Sequence, residues 1–179
     1  MNSPRPIKDW LDDWQEMLRA RKYGAVGEAK VGEMLAAQGF DVQVTPPNYE
    51  EIYNRDGEEV LRATERHRDV PDMLCNGLVI EVKRRSEVFT GPDDYPFSTV
   101  YIDTVRAYKR KANKPFMHMN ISEQTDAVIA LPSGFGEYWR EWHSFNPARR
   151  LRTHNYVCHK RFWVTFEKAC EIIRKHTDK

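Results

Sequence analysis

Two acidic residues and a lysine lie at hairpin spacing between residues 72 and 83. Asn76-Gly77 is a favoured two-residue β-turn, and with this turn Asp72 is expected to face Glu81 across the ladder. Carboxylates held about 5 Å apart repel each other, and a hard divalent cation such as Mg²⁺ relieves this repulsion because it prefers oxygen ligands. Lys83 lies two residues beyond Glu81, so the alternation of a strand places all three side chains on one face. The spacing therefore predicts an oxygen-ligated metal site.

The strand that carries Glu81 is expected to be mostly buried. Its sequence Leu78-Val79-Ile80-Glu81-Val82 is almost wholly apolar, which is typical of a strand in the middle of a sheet. The alternative is a surface hairpin whose polar face is solvated and whose lysine pairs with the acids. A carboxylate in apolar surroundings needs a partner, so the sequence favours the metal site over the solvated hairpin.

A third carboxylate, Glu28, is expected to face inward from a helix. At about 100° per residue it lies in the same stripe as Val31 and Leu35, whereas Glu33 points elsewhere. The alternative is that Glu28 reaches solvent or favours the amino end of its helix. In the first interpretation Glu28 joins the two carboxylates of the hairpin.

The periodicity of the apolar residues predicts an α/β protein with one domain over residues 1–179. Helices are predicted at 8–22, 25–38, 98–112, 135–145 and 165–176; the first forms an N-terminal extension over about residues 1–22, Gly39 ends the second and Thr165 caps the last. Strands are predicted over 40–45, as two short strands around Asp56-Gly57 within 48–64, in the hairpin, and at 115–119 and 127–131. Residues 86–98, which contain a glycine and two prolines, are predicted to form a loop.

The charges are distributed unevenly along the chain although the net charge is only +1. Residues 1–103 carry 13 Lys and Arg against 20 Asp and Glu, whereas the aromatic-rich part 104–179 carries 15 against 7. The second part can hold a polyanion while the first supplies acidic metal ligands. Seven basic residues after the hairpin are candidate phosphate contacts: Arg84, Arg85, Arg106, Lys109, Arg110, Lys111 and Lys114. A solvated basic surface is the alternative for these residues, and also for the cluster Arg149, Arg150 and Arg152.

The sequence predicts an intracellular protein located in the cytoplasm. It contains no run of about 18 apolar residues, and its first residues lack the layout of a secretory signal. No membrane partner is therefore expected. Three cysteines, Cys75, Cys158 and Cys170, form no CxxC pair and suit a reducing compartment.

Two other groups of residues suggest functions that the sequence does not favour. His154, Cys158 and His159 could bind zinc, but a fourth ligand at suitable spacing is missing. Three tryptophans could stack on unpaired bases, although aromatic residues in a small α/β domain more often belong to the core; these are Trp139, Trp142 and Trp163. At least two of the three are expected in the core.

The hairpin and the helix before it resemble the signature of the PD-(D/E)xK nuclease superfamily. Pro71-Asp72, eight intervening residues and Glu81-Val82-Lys83 match its motif. Gly27-Glu28, Val31, Leu35, Gly39-Phe40 and a following strand resemble the opening of the archaeal-type Holliday junction resolvases within it. The resemblance covers about residues 24–85.

The resemblance implies a restriction-endonuclease-like core, in which a mixed β-sheet is flanked by helices. It implies Mg²⁺ or Mn²⁺ held by Asp72, Glu81 and the Val82 backbone, with Glu28 assisting directly or through water and Lys83 orienting or deprotonating the attacking water. Bound metal lowers the pKa of water and stabilises charge in the transition state. The implied activity is metal-dependent endonucleolytic hydrolysis of DNA, for which the seven basic residues named above are the candidate DNA contacts. The resolvase subgroup further implies branched DNA as substrate and a homodimer.

Two alternative functions remain open from the sequence. The first is a restriction-type or repair endonuclease acting on duplex DNA, which needs the same residues. The second is a DNA-binding protein of the same fold that has lost catalysis; the presence of Glu28 and of all three motif residues disfavours it. A phage, defence or recombination enzyme would each fit, and phosphate contacts alone do not separate DNA from RNA.

Overall fold

The part of the chain that the structure describes contains three α-helices and eleven strands. The computed structural model describes residues 7–47, 49–55, 57, 59–63, 70–146 and 151–178. The helices are α1 (Ile7–Ala37), α2 (Val105–Arg110) and α3 (Phe166–Thr177), and over these residues none is both long and apolar enough to cross a membrane. The strands are β1 (Val42–Val44), β2 (Tyr49–Tyr53), β3 (Glu59–Ala63), β4 (Met73–Cys75), β5 (Leu78–Arg85), β6 (Thr99–Thr104), β7 (Met117–Ser122), β8 (Val128–Pro132), β9 (Arg140–Asn146), β10 (Leu151–His159) and β11 (Val164–Thr165).

A six-stranded mixed sheet forms the centre of the protein, with the strand order β1-β4-β5-β7-β8-β11. Strands β5 and β7 are parallel, and the other neighbouring strands are antiparallel. Every residue of β7 and β8 is buried. The expected α/β fold with a mixed central sheet and helices is confirmed, and the strands predicted at 40–45, 115–119 and 127–131 are present as β1, β7 and β8.

The predicted hairpin is present with the predicted register. Asn76 and Gly77 have positive φ angles of 47° and 78°, which is the conformation of a two-residue type I′ turn. Met73 pairs with Ile80. One residue further along, the same register places Asp72 opposite Glu81. The loop predicted over 86–98 lies between β5 and β6, as expected.

A single helix, α1, replaces the two helices predicted at 8–22 and 25–38, so the predicted break is wrong. Gly24 lies within α1. A glycine weakens a helix by only about 1 kcal/mol relative to alanine, which tertiary packing can offset. Leu18 before it and Val31 after it are both fully buried, so packing on either side of Gly24 holds the helix continuous.

α1 ends at Ala37, and Gly39 lies just after its last turn as the predicted stop residue. Gly39 has a φ of 86°, a left-handed conformation that glycine adopts without steric cost. The Gly39 amide donates to the Ala36 carbonyl and the Phe40 amide to the Leu35 carbonyl. This is the Schellman arrangement, and Phe40 and Leu35 both enter the core cluster that α1 shares with the sheet.

Close approach between α1 and the central sheet occurs at two glycines. A Cβ atom on Gly27 would lie 2.9 Å from Arg84 Cβ and 3.1 Å from Ile121 Cγ2, and one on Gly32 would lie 2.6 Å from Val44 Cγ2. These distances are shorter than ordinary carbon contacts, so a side chain at either position would push the helix outward. Because Gly27 directly precedes Glu28, the close approach also sets the distance of Glu28 from the sheet.

A second sheet, with the antiparallel order β6-β10-β9, packs against the face of the central sheet that α1 and α3 leave free. Strand β6 shows that the helix predicted at 98–112 is wrong over its first half, since only 105–110 are helical. Val100 and Ile102 are buried whereas Tyr101 between them is exposed. This alternation, in a run of β-branched and aromatic residues, is a strand signal that the helical interpretation overlooked.

The helix predicted at 135–145 is also wrong. Its first residues lie in a 3₁₀ turn, Ser133–Tyr138, and the rest belong to β9, which pairs with β10 along its whole length. Cross-strand pairing decides the conformation here, and periodicity within one segment does not reveal such pairing. The helix predicted at 165–176 is confirmed as α3, and Thr165 is its amino cap because its hydroxyl accepts a hydrogen bond from the Lys168 amide.

The two short strands predicted within 48–64 are confirmed as the antiparallel pair β2–β3. The Gln15 side chain of α1 donates to the Leu61 carbonyl, and Lys22 of α1 forms an ion pair of 2.9 Å with Glu51. Asp56 of the predicted turn lies outside the described residues. These contacts attach the pair to the amino-terminal half of α1.

Replacing Gly27 with alanine is expected to destabilise the protein by about 2 kcal/mol, because the new methyl group would force α1 away from the sheet. Gly24→Ala is the matched control in the same helix, since its Cβ would meet its nearest neighbour, Glu28 Oε1, at 3.7 Å. This control is expected to stabilise the helix by up to about 1 kcal/mol. Free energies of unfolding from urea denaturation check both values. Equal effects of the two substitutions would contradict the close approach.

Candidate active site

Asp72 and Glu81 lie next to each other at the hairpin β4–β5. The Val82 amide donates a hydrogen bond of 2.9 Å to Asp72 Oδ2, which holds this carboxylate against β5. Glu81 lies within β5 and is only 4 % exposed. Two neighbouring carboxylates removed from water cost free energy unless positive charge lies close to them.

Two lysine ammonium groups supply positive charge at Glu81. Lys83 Nζ lies 2.5 Å and Lys111 Nζ lies 2.7 Å from the same oxygen, Oε1 of Glu81. Lys83 reaches it from the same strand, as its spacing predicted. Lys111 is the residue that directly follows α2, and the sequence analysis had named it only as a phosphate contact.

Asp103 completes this ion-pair network, and the sequence analysis missed it. Lys111 Nζ lies 2.7 Å from Asp103 Oδ2, and the Asp103 side chain is 8 % exposed. The Thr104 amide donates a hydrogen bond of 2.8 Å to Asp103 Oδ1 and so fixes the carboxylate. Asp103 lies near the end of β6, so recognising the strand signal of residues 99–104 would have made this acid a candidate.

Glu28 faces the same cluster from α1, as its position in the helix predicted. It is half-buried and lines the same cleft as Asp72, Glu81 and Lys83. Burial, followed by the Asp72 carboxylate, raises the pKa of Glu28 to about 7, although Lys83 opposes the rise. Of the two orientations considered for Glu28, the structure therefore shows the inward one.

The cluster contains more negative than positive charge. Burial raises the pKa of Asp72, and the Glu81 charge adds to the rise while Lys83 opposes it. Burial acts on Glu81 in the same direction, but Lys83 and Lys111 outweigh it and lower the pKa of Glu81. When its four carboxylates are ionised the cluster holds four negative and two positive charges, so a charge of +2 would be needed to balance it.

A buried histidine beside Glu81 adds no positive charge to the cluster. His118 lies in register with Glu81 on the neighbouring strand β7 and is 2 % exposed. Burial lowers the pKa of His118 to about 4, although the Glu81 carboxylate opposes this. The imidazole is therefore neutral at pH 7, and the excess negative charge is left to the lysines and to any cation that binds.

The donor atoms fit a hard divalent cation in type and in charge. Carboxylate oxygens are the ligands that Mg²⁺ and Mn²⁺ prefer, and one such cation would offset the excess negative charge. Among the described residues, no three Asp, Glu, His or Cys side chains lie in an arrangement that could hold a metal ion as they stand. Glu81 is instead held by two lysines. Both lysines contact Oε1 of Glu81, so a cation that binds this oxygen would have to displace at least one ammonium group.

The cluster lies in a cleft of about 1810 Å³ that α1, the hairpin β4–β5 and the end of α2 enclose. Acidic residues of the cleft lining are Glu28, Asp72 and Glu81, and basic ones are Arg21, Lys83, Arg84, Arg110 and Lys111. Basic side chains around the carboxylate cluster would attract a polyanion and hold it in the cleft. The cleft therefore suits a phosphate-containing substrate.

Arg84 and Arg85, two predicted phosphate contacts, both have partners within the protein. Arg84 forms an ion pair of 3.2 Å with Glu123, and its guanidinium lies 4.3 Å from the centre of the Tyr23 ring, although it also lines the cleft. Arg85 donates a hydrogen bond of 2.8 Å to the Tyr101 carbonyl, and burial lowers the pKa of Arg85. Contact of Arg84 and Arg85 with phosphate therefore stays a prediction. Arg84 is better placed for such a contact because it lines the cleft.

The other predicted phosphate contacts lie on α2 and just after it. Arg110 and Lys111 line the cleft, whereas Arg106 and Lys109 are exposed outside its lining. Lys114 stabilises the end of α2, because its ammonium group donates to the Tyr108 and Lys111 carbonyls at 2.6 and 2.7 Å. The structure therefore brings two of these five basic residues to the site.

Two of the three tryptophans belong to the interior, as expected. Trp163 is 3 % exposed in the apolar cluster between the two sheets. Trp139 is half-buried and packs edge-on against Tyr108, with ring centres 5.1 Å apart. Trp142, in contrast, is 56 % exposed on β9. It is thus the one tryptophan of the three that presents its ring to solvent.

The remaining sequence candidates do not contribute to the cleft, as far as the structure describes them. Cys158 is buried, and His159 accepts a hydrogen bond from the Arg161 amide through Nδ1. Arg152 is exposed on β10. Arg149 and Arg150 lie outside the described residues.

The fold and the site define an α/β protein with a carboxylate–lysine cluster in a cleft. The chain matches no protein-family model, no curated protein and no solved structure. Its function is therefore inferred from the residues of this cluster and their geometry.

Replacing Lys111 with methionine is expected to destabilise the metal-free protein by about 3 kcal/mol, because Glu81 and Asp103 lose a shared counter-charge in a buried position. Lys168→Met is the matched control, since it removes the same charge from an exposed pair with Glu171 and is expected to cost less than about 1 kcal/mol. Urea denaturation with a chelator present gives both free energies of unfolding. Similar losses in the two variants would show that Lys111 does not stabilise the buried carboxylates.

Proposed function

We propose that this protein is a metal-dependent deoxyribonuclease that hydrolyses phosphodiester bonds in DNA with Mg²⁺ or Mn²⁺. The observation that carries the proposal is the cluster of Glu28, Asp72, Glu81 and Lys83 in one cleft, with excess negative charge. The same four residues are those that the PD-(D/E)xK resemblance implies. Membership of that superfamily and a restriction-endonuclease-like form of the fold are part of the proposal.

Each side chain of the cluster has a distinct role in this reaction. Asp72 and Glu81 would hold the cation together with the Val82 backbone, and Glu28 would assist from α1 directly or through water. The bound metal would lower the pKa of a water molecule and stabilise charge on the phosphate in the transition state. Because Glu81 is removed from bulk water, these electrostatic contacts are stronger than they would be at an exposed site.

Lys83 acts as a cation in the metal-free protein. Burial alone would lower the pKa of Lys83, but the carboxylates of Glu81, Asp72 and Asp103 outweigh it and raise the pKa. A protonated ammonium group donates hydrogen bonds and accepts no proton. Of the two roles that the resemblance implies for Lys83, its charge in this state therefore favours orienting the attacking water over deprotonating it.

The distribution of charge supports DNA as the substrate. The basic part of the chain, residues 104–179, contains α2, whose Arg110 and Lys111 line the cleft. Phosphate groups that pass along this wall would reach the carboxylates on the hairpin. Branched DNA as the preferred substrate, a homodimer as the assembly and the cytoplasm as the location are the finer parts of the proposal, and they depend on the resolvase resemblance and on composition.

The two alternative functions differ in what they require of the cluster. A restriction-type or repair endonuclease acting on duplex DNA needs the same residues, so the substrate alone separates it from a resolvase. A DNA-binding protein without catalysis has no need of them. The contacts of Lys83 with Glu81 and of the Val82 amide with Asp72 therefore favour an enzyme.

Cleavage of a labelled DNA panel is expected to require Mg²⁺ and the three motif residues. The panel contains linear duplex, single-stranded, flapped and four-way-junction DNA. Asp72→Asn and Glu81→Gln are expected to lower the cleavage rate about 10³-fold, because metal binding contributes several kcal/mol to transition-state stabilisation. Lys83→Met removes one positive contact and is expected to lower the rate about 10²-fold.

Glu28→Gln tests the contribution of α1, and Glu33→Gln is its matched control because Glu33 is exposed on the same helix. Only the first variant should need more Mg²⁺ for half-maximal cleavage. Paired cuts on the junction would support the resolvase form, whereas cuts in linear duplex would support the restriction or repair form. DNA binding by the wild type without metal-dependent cleavage of any substrate would overturn the proposed activity.

A further inference from the structure

Two ammonium groups share one carboxylate oxygen, and only one of them belongs to the PD-(D/E)xK motif. Lys83 and Lys111 both lie within 2.7 Å of Glu81 Oε1. Two like charges on one oxygen repel each other, so each lysine weakens the hold of the other on Glu81. A divalent cation that binds Glu81 through Oε1 competes with both.

Lys111 has a second anchor, Asp103, at 2.7 Å. Asp103 is itself fixed by the Thr104 amide and nearly buried. The Lys111 side chain is 21 % exposed and lines the cleft. If Lys111 releases Glu81, the contact with Asp103 therefore keeps its ammonium group at the wall of the cleft.

We infer that Lys111 is a second active-site lysine, which neutralises Glu81 in the metal-free protein and contacts the scissile phosphate once a divalent cation has taken that carboxylate. Asp103 is the positioning residue for Lys111. The inference rests on the proposed nuclease function, and it adds to it two residues that lie outside the resemblance.

The balance of charge explains why Lys111 would change partners. A divalent cation supplies positive charge to a cluster in which four carboxylates face only two lysines. Lys111 is then no longer needed to neutralise Glu81, while the arriving phosphodiester brings a new negative charge. An ammonium group at the wall of the cleft can offset that charge in a place where little water screens it.

The alternative is that Lys111 only ties β5 to β6 as a fixed ion pair. A fixed pair would contribute to stability with or without metal, and its loss would lower activity only through misfolding. An exchange of partners makes different predictions for the response to Mg²⁺ and for kcat, and both can be measured on the full chain.

The kinetic test compares variants on the panel DNA that the wild type cleaves fastest. Lys111→Met is expected to lower kcat about 10²-fold with little change in KM, because the lost contact is strongest in the transition state. Lys111→Arg retains the charge and is expected to recover most of that loss. Asp103→Asn is expected to lower kcat about tenfold. Adding it to Lys111→Met should cause little further loss, because Asp103 acts through Lys111.

A second test needs no DNA and measures the rise in melting temperature that Mg²⁺ causes. The rise is expected to be larger for Lys111→Met than for the wild type, because one competitor for Glu81 is gone while the excess negative charge is greater. Lys168→Met carries the same change in charge on an exposed pair of α3. It should show the same rise as the wild type.

The outcomes separate this inference from the proposed function. If the wild type cleaves DNA and folded Lys111→Met cleaves it at the same kcat, the inference is overturned while the nuclease proposal stands. If the wild type cleaves nothing, the nuclease proposal fails and the phosphate contact fails with it. In that case equal Mg²⁺ effects on Lys111→Met and the wild type would overturn competition between Lys111 and a cation for Glu81, and a larger effect on Lys111→Met would support it.

Discussion

The excess of negative charge in one partly buried cluster is the constraint on which the rest of the structure depends. The acids come from three separate elements, namely α1, the hairpin β4–β5 and β6, and only two ammonium groups face them. Carboxylates removed from water cost several kcal/mol when they lack counter-charges. The surrounding apolar packing must offset that cost, which a protein tolerates where the charge serves a ligand.

That packing is arranged in two layers on either side of the central sheet. One apolar cluster joins α1 and α3 to β5, β7 and β8, and the other joins β8 to the outer sheet. Glycine at position 27 allows α1 to lie against β5 at a distance that no other residue permits. The position of Glu28 relative to the hairpin is therefore set mainly by the packing of the α1 backbone against β5. The conformation of the flexible Glu28 side chain contributes less.

Features that depend on neighbouring residues could be predicted from the sequence, and features that depend on distant ones could not. The hairpin, the end of α1 and the cap of α3 follow from Asn76-Gly77, Gly39 and Thr165, each of which acts within a few residues. The predicted break in α1 was wrong because burial on both sides of Gly24 outweighs local propensity. Asp103 was missed because residues 98–112 were interpreted as one helix, and its link to Glu81 through Lys111 depends on contacts between distant segments. The burial of Arg85 likewise results from strand pairing.

The order of the elements along the chain has a consequence for synthesis. Strand β6, which carries Asp103, is hydrogen-bonded to β10, and β10 begins only at residue 151. Glu28, Asp72, Glu81 and Lys83 all leave the ribosome long before that strand, since translation proceeds from the amino terminus. A nascent chain therefore carries Glu28, Asp72 and Glu81 before the support for Asp103 and Lys111 exists. The complete cluster can therefore form only after β10, which ends at His159, has been made.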